Sequence, residues 1–203
     1  MPTTKGNLTR RHIVARALQL FTVKGYFNTS ISDILLATGL TKGGLYGHFA
    51  SKEDIWLAVY DAAVITWRGV VLTGSREIAD PLERIEVTIE RNLRDYLGGE
   101  VFDGGCFFFN MLVELSGQSS RMSRHILKGF VRFSKLMQQW LSEARDQGLV
   151  APDLDVREVA DFIVIAVNGA APLYAASRDP KIWELTIHQL HHYIRHLRRG
   201  GRP

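Results

Sequence analysis

A chain of 203 residues, 46% of them hydrophobic, is long enough to bury a substantial core and too short for two large domains. A single cysteine, Cys106, excludes an internal disulfide framework and any multi-cysteine zinc site, and it suits a reducing, intracellular compartment. Charge is uneven: residues 1–52 hold seven basic side chains and one acid, Asp33, a net +6, whereas the rest hold 18 basic and 20 acidic groups, a net −2, which together make the chain's +4. Such a head is the footprint of a polyanion-binding module, and equally of a basic solvated tail.

The longest uncharged stretch, 162–177, is 16 residues and contains Asn168, Gly169 and Pro172, short of the roughly 20 apolar residues that span a bilayer. The basic residues near the N-terminus lie in an amphipathic pattern with no apolar core of a signal peptide. A cytoplasmic protein without membrane contact is expected.

The apolar periodicity is helical almost throughout and predicts an all-α fold of about nine helices. Ile13, Ala17, Leu20 and Phe21 form a stripe that stops at Gly25. Ser30 with Asp33 has the spacing of a capping box and opens a short helix closed by Gly39. Thr41 can cap a third helix over about 42–48, and Ser51 with Asp54 launches a longer one to about residue 72. Asp80-Pro81 introduces Leu82, Ile85, Ile89, Leu93 and Tyr96 at helical spacing, and Gly98-Gly99 breaks the chain. A short apolar helix over 105–115 follows, then a turn at 117–120 and a long helix ending near Gly148. Asp155 caps a helix over 156–176 that is apolar nearly all round, so it is expected to be buried on nearly every side. The last helix carries Trp183, Ile187, Leu190, Ile194 and Leu197 on one face and frays at Arg198-Arg199-Gly200-Gly201-Arg202.

Residues 30–49 are the most specific signal. Two short helices meet at Gly39-Leu40-Thr41; Ile34, Ala37, Leu45 and Phe49 face inward, which leaves Thr41, Lys42, Gly43, Gly44, Tyr46 and His48 outward with no acid among them. The run Thr29 to Ile34, followed by Ala37 to Glu53 with its L-Y-x-H-F-x-S-K-E segment, resembles the TetR/AcrR family of bacterial transcriptional regulators across about residues 9–60. The resemblance implies a helix-turn-helix domain at 1–51, a ligand-binding and dimerisation domain at 52–203, and a homodimer released from a palindromic DNA operator by a small molecule. It further implies that Thr41, Lys42, Gly43 and Gly44 approach base edges, Tyr46 and His48 touch the DNA backbone, and Ser30 and Lys52 contact phosphate. Gly47 stands where the family usually has a larger polar or aromatic residue, and Leu35 where alanine is commoner.

In the body, Trp67, Tyr96, Phe107, Phe108, Met111, Phe130, Trp140 and Phe162 are candidates for a pocket that takes an apolar or aromatic effector, although ordinary core packing accounts for most such residues. Three consecutive phenylalanines, 107–109, cannot share one helix face. Cys106 near a helix N-terminus is a possible thiol sensor, and control by its modification or by a protein partner is the alternative to a pocket ligand. His188, His191, His192 and His196 include i, i+4 pairs, more simply read as solvent-exposed residues beside a dimer face than as metal ligands. That face is expected from Ile163, Val167, Ala170, Ile187, Leu190 and Ile194, because one protomer has few helices left to cover the last two. No nucleophile triad, phosphate loop or dinucleotide fingerprint is present, and no enzymatic role or cofactor is expected.

Overall fold

Local capping chemistry sets most helix boundaries in the computed structural model, which describes residues 5–117 and 120–199. The first helix, α1 (Lys5–Lys24), buries Ile13, Ala17 and Phe21 and ends at Gly25, whose φ of +84° few other residues tolerate. Ser30 then caps α2 (Ile31–Thr38) through the full capping box with Asp33, and Gly39 ends it at φ +69°. Thr41 Oγ1 accepts the Gly44 N–H at 3.2 Å to start α3 (Lys42–Tyr46). This helix is shorter than the sequence suggests, because the His48 N–H tightens onto the Leu45 carbonyl at 3.0 Å. Ser51 caps α4 (Lys52–Val71), which buries Ile55, Trp56, Val59 and Tyr60; the helix packs on α1, while Trp56 and Tyr60 meet Met111 and Phe108, so it joins the head to the body.

The body opens with a 3₁₀ turn at Ser75–Glu77 and with α5 (Pro81–Glu90), capped by Asp80 with proline in its first turn. The apolar spacing through Tyr96 reads as one α-helix, yet Arg91–Gly98 is π-helical and turns Asn92, Leu93, Tyr96 and Leu97 inward. Then come α6 (Phe107–Leu115), α7 (Ser120–Asp146), α8 (Val156–Ser177) and α9 (Lys181–Leu197), so the described residues hold nine α-helices and no strand. An isolated bridge pairs Val150 with Arg198. Residues 118–119 of the expected turn and 200–202 of the expected frayed tail lie outside the described residues.

The burial of the last two helices corrects the sequence reading. Ile163, Val167, Ala170, Ile187, Leu190 and Ile194 are all buried inside the protomer, so none of them is free to meet a partner. The 27-residue α7 runs along α8, and α5 and the π-helical segment cover α9, which supplies the partners that composition alone did not reveal. Nor is α8 buried all round: Phe162, Ile165 and Leu173 are exposed, as is Leu185 on α9. On length and composition α8 would suffice to cross a membrane, contrary to the expectation that no segment would; eight of its residues, from Val159 to Tyr174, instead face the protein interior.

Candidate DNA-binding surface and ligand cavity

The basic head presents α3 outward. Thr41, Lys42 and Gly43 are exposed at its start, Gly44 and His48 are half-buried and Tyr46 is exposed, while Leu45 and Phe49 anchor the helix in the core. Nothing lies within 4 Å of the space a Gly43 side chain would fill, so the protein's own packing does not demand glycine there. Ser30 is exposed, but its hydroxyl sits 2.6 Å from Asp33 Oδ2. Hydrogen bonds from the Ser30 side chain and backbone, with Lys24 at 3.0 Å, hold the Asp33 carboxyl well below the usual carboxylate range. The Arg10 guanidinium lies over the Phe49 ring at 4.6 Å, a cation on this face that the motif does not flag.

Lys52 is placed differently from the family-based expectation. Its Nζ donates to the carbonyls of Tyr26 and Thr29, both at 2.9 Å, and lies over the Tyr26 ring at 4.1 Å. Burial lowers its pKa, with Glu114 opposing the shift. The ammonium is committed to holding the turn between α1 and α2, so a phosphate contact would have to displace these bonds.

Glu114 of α6 grips the same turn from the body. Its carboxylate accepts the backbone N–H groups of Tyr26 and Phe27, each at 2.8 Å, and a side chain on Gly25 would collide with it at 2.7 Å. The loop before α6 presses equally close, since a side chain on Gly104 would overlap the Thr22 carbonyl. Neither contact was legible in the sequence, because each joins residues some 80 or more positions apart.

A cavity of about 790 Å³ opens between α4, the π-helical segment, α6 and α7. Five of the eight pocket candidates line it: Trp67, Tyr96, Phe108, Phe130 and Trp140. The other three do not. Phe107 is fully buried in the core, Met111 accepts the Trp56 indole N–H through Sδ at 3.3 Å, and Phe162 lies outside against Tyr193. Of the three phenylalanines, then, Phe107 faces the core and Phe108 the cavity, as their angular spread requires.

Cys106 also lines the cavity, beside the Tyr96 hydroxyl at 3.9 Å. Burial pushes its thiol pKa up and outweighs the lowering by the Phe108 and Phe109 N–H groups. The reactive thiolate of a sensor is therefore disfavoured. On α9, His191 Nε2 is 3.1 Å from the Glu86 carbonyl and His196 Nδ1 is 2.9 Å from that of His192.

Known proteins match both halves of this architecture. Residues 13–59 match the model of the bacterial regulatory proteins of the tetR family, and residues 81–190 that of the tetracyclin repressor-like C-terminal domain. The transcriptional repressor DhaR of Mycobacterium sp. (strain GP1) is 31% identical over 164 residues, which is 79% of each chain. A TetR transcriptional regulator from Chloroflexus aurantiacus J-10-FL superposes with a TM-score of 0.88 at 29% identity, covering 96% of this chain and 98% of its own. AibR, solved with isovaleryl coenzyme A and operator DNA, shares the fold at a TM-score of 0.69 and 22% identity, covering 90% of this chain and 98% of its own. This chain belongs to the TetR family of DNA-binding bacterial transcriptional regulators.

Proposed function

We propose that the protein is a homodimeric repressor that leaves a palindromic operator when a small molecule occupies the cavity between α4 and α7. The observation that carries this reading is the continuity between cavity and head. Phe108 of α6 lines the cavity, and Glu114, nearly two turns further along the same helix, holds the turn that leads into the helix-turn-helix. A ligand that shifts α6 therefore moves the head, provided it binds the two arrangements with different affinity. DhaR is a repressor, and AibR binds both an acyl thioester and DNA, which supports both halves of the reading.

In this reading Thr41, Lys42, Gly43 and Gly44 meet the major groove, and Tyr46, His48 and Ser30 meet the backbone. Lys42 is the side chain suited to guanine O6 and N7. The dimer face comprises the exposed Phe162, Ile165, Leu173 and Leu185 in place of the buried residues of α8 and α9.

The test begins by selecting the operator from random duplexes and measuring binding by anisotropy. Lys42→Ala is expected to bind about tenfold more weakly and to lose preference at one base pair per half-site, the scale of one good base contact. Affinity should fall steeply with salt. Wild-type affinity and specificity in Lys42→Ala would refute the assignment of this surface.

A further inference from the structure

The cavity wall is less apolar than its aromatic residues suggest. Tyr60, Ser75 and Asn92 are each more than nine-tenths buried as residues and line it, and the polar groups of their side chains are not sealed in the core. A hydroxyl, a second hydroxyl and an amide on one wall can donate hydrogen bonds to, and accept them from, a molecule that enters the cavity. The Tyr60 hydroxyl is also given room: a side chain at Gly129 would overlap it, and its ring is held by Trp56, Phe108 and His125.

The rim is cationic. Arg68 and Arg76 come from the α4 side, Arg132 and Lys135 from α7, against the single acid Glu77. Among the described residues none of the four cations has an ion-pair partner, whereas Arg84, Arg94, Arg178 and Arg198 elsewhere in the body each do. Four unneutralised cations around one opening attract an anion and repel a cation.

We infer that the effector is an amphipathic organic oxyanion, with an aromatic or acyl body against Trp67, Phe130 and Trp140, a hydrogen-bonding group at Asn92 and Tyr60, and a carboxylate or phosphate at the rim. This rests on the proposal that the cavity is the effector site, and it replaces the purely apolar effector that composition alone suggests. The charge at the rim decides between otherwise similar ligands.

Calorimetry on the full-length protein with three matched probes tests it: 2-naphthoate, 2-naphthyl phosphate and 2-naphthamide. At 50 mM salt at least one anion should bind tenfold or more tightly than the amide, and the tighter of the two identifies the head group. The margin should shrink at 500 mM salt. Arg68→Gln/Arg132→Gln, both at exposed positions, should weaken the preferred anion about tenfold and leave the amide unchanged, and Arg76→Gln/Lys135→Gln repeats the test should the first pair melt early. Equal binding of amide and anions, or no binding of any probe at millimolar concentration by protein that still binds its operator, would overturn the inference. Anion binding that leaves the operator complex intact would instead sink the ligand-release reading while the cavity assignment stands.

Discussion

Gly129 and Gly43 are both helical glycines, yet their surroundings ask opposite things of them. An alanine at 129 would gain about 1 kcal/mol of helix propensity and lose about 1–3 kcal/mol by overpacking against a Tyr60 ring that cannot swing away. Gly129→Ala is therefore expected to melt at or below wild type and to weaken any cavity ligand that reaches Tyr60. Gly43→Ala meets nothing within 4 Å, so it should melt at or above wild type. If DNA backbone comes close at that position, the same variant loses operator affinity without losing stability. Thermal melts alongside anisotropy separate the two, and a Gly43→Ala protein that binds DNA normally would remove close approach as the reason for glycine there. Cys106 belongs at this scale too: with its thiol buried and its pKa raised, mild oxidant should affect operator binding by wild type and by Cys106→Ser alike.

Helix ends were legible in the sequence wherever one local bond sets them. Ser30 with Asp33, Thr41, Ser51, Asp80 and Asp155 all cap as their spacing predicts, because donor and acceptor are two or three residues apart. What stayed hidden depends on groups distant in sequence. The Lys52 ammonium finds its carbonyls 23 and 26 positions back, and Glu114 finds its N–H groups 87 and 88 positions back. The π-helical segment was equally illegible, since an i, i+5 register leaves no distinct apolar spacing over eight residues. Together Lys52 and Glu114 make the turn between α1 and α2 a clamped element. Lys52→Ala should cost about 1.5–3 kcal/mol, the range for hydrogen bonds involving a charged group, and weaken operator binding at every sequence by loosening the head. Its salt slope should match wild type; a slope lowered by about 0.9 would return Lys52 to the phosphate contacts. Glu114→Ala should keep its cavity affinity and lose most of the ligand's effect on DNA binding, and an undiminished ligand effect would rule out α6 as the coupling element.

For the molecule as a whole, the proposed dimer decides whether the head can work, since α3 is five residues long and is expected to read only a few base pairs. Two-fold symmetry doubles the reading, with half-sites separated by about 34–36 Å or a multiple of it. The face proposed for this is the outer side of α8 with the adjoining side of α9. There Ile165 is 70% exposed and Leu173 and Leu185 are 61% exposed, and Gly169 between the first two leaves open space for close helix approach. Exposed aliphatic groups clustered at helical spacing are what a helix-on-helix interface would cover. Two substitutions tell this face from the buried one. Ile165→Asp with Leu185→Asp adds charge where the protomer alone leaves water, so it should stay folded with a cooperative melt and sediment near 22.9 kDa. It should also lose operator affinity by several hundredfold, because each head must then bind alone. Leu190→Asp instead puts a carboxylate into a position that is 3% exposed, at a cost of several kcal/mol, and should unfold the body outright. Sedimentation at micromolar protein reads both. An Ile165→Asp/Leu185→Asp protein that remained dimeric would place the interface elsewhere on the surface, and a wild type near 22.9 kDa would leave the operator to be read by single heads.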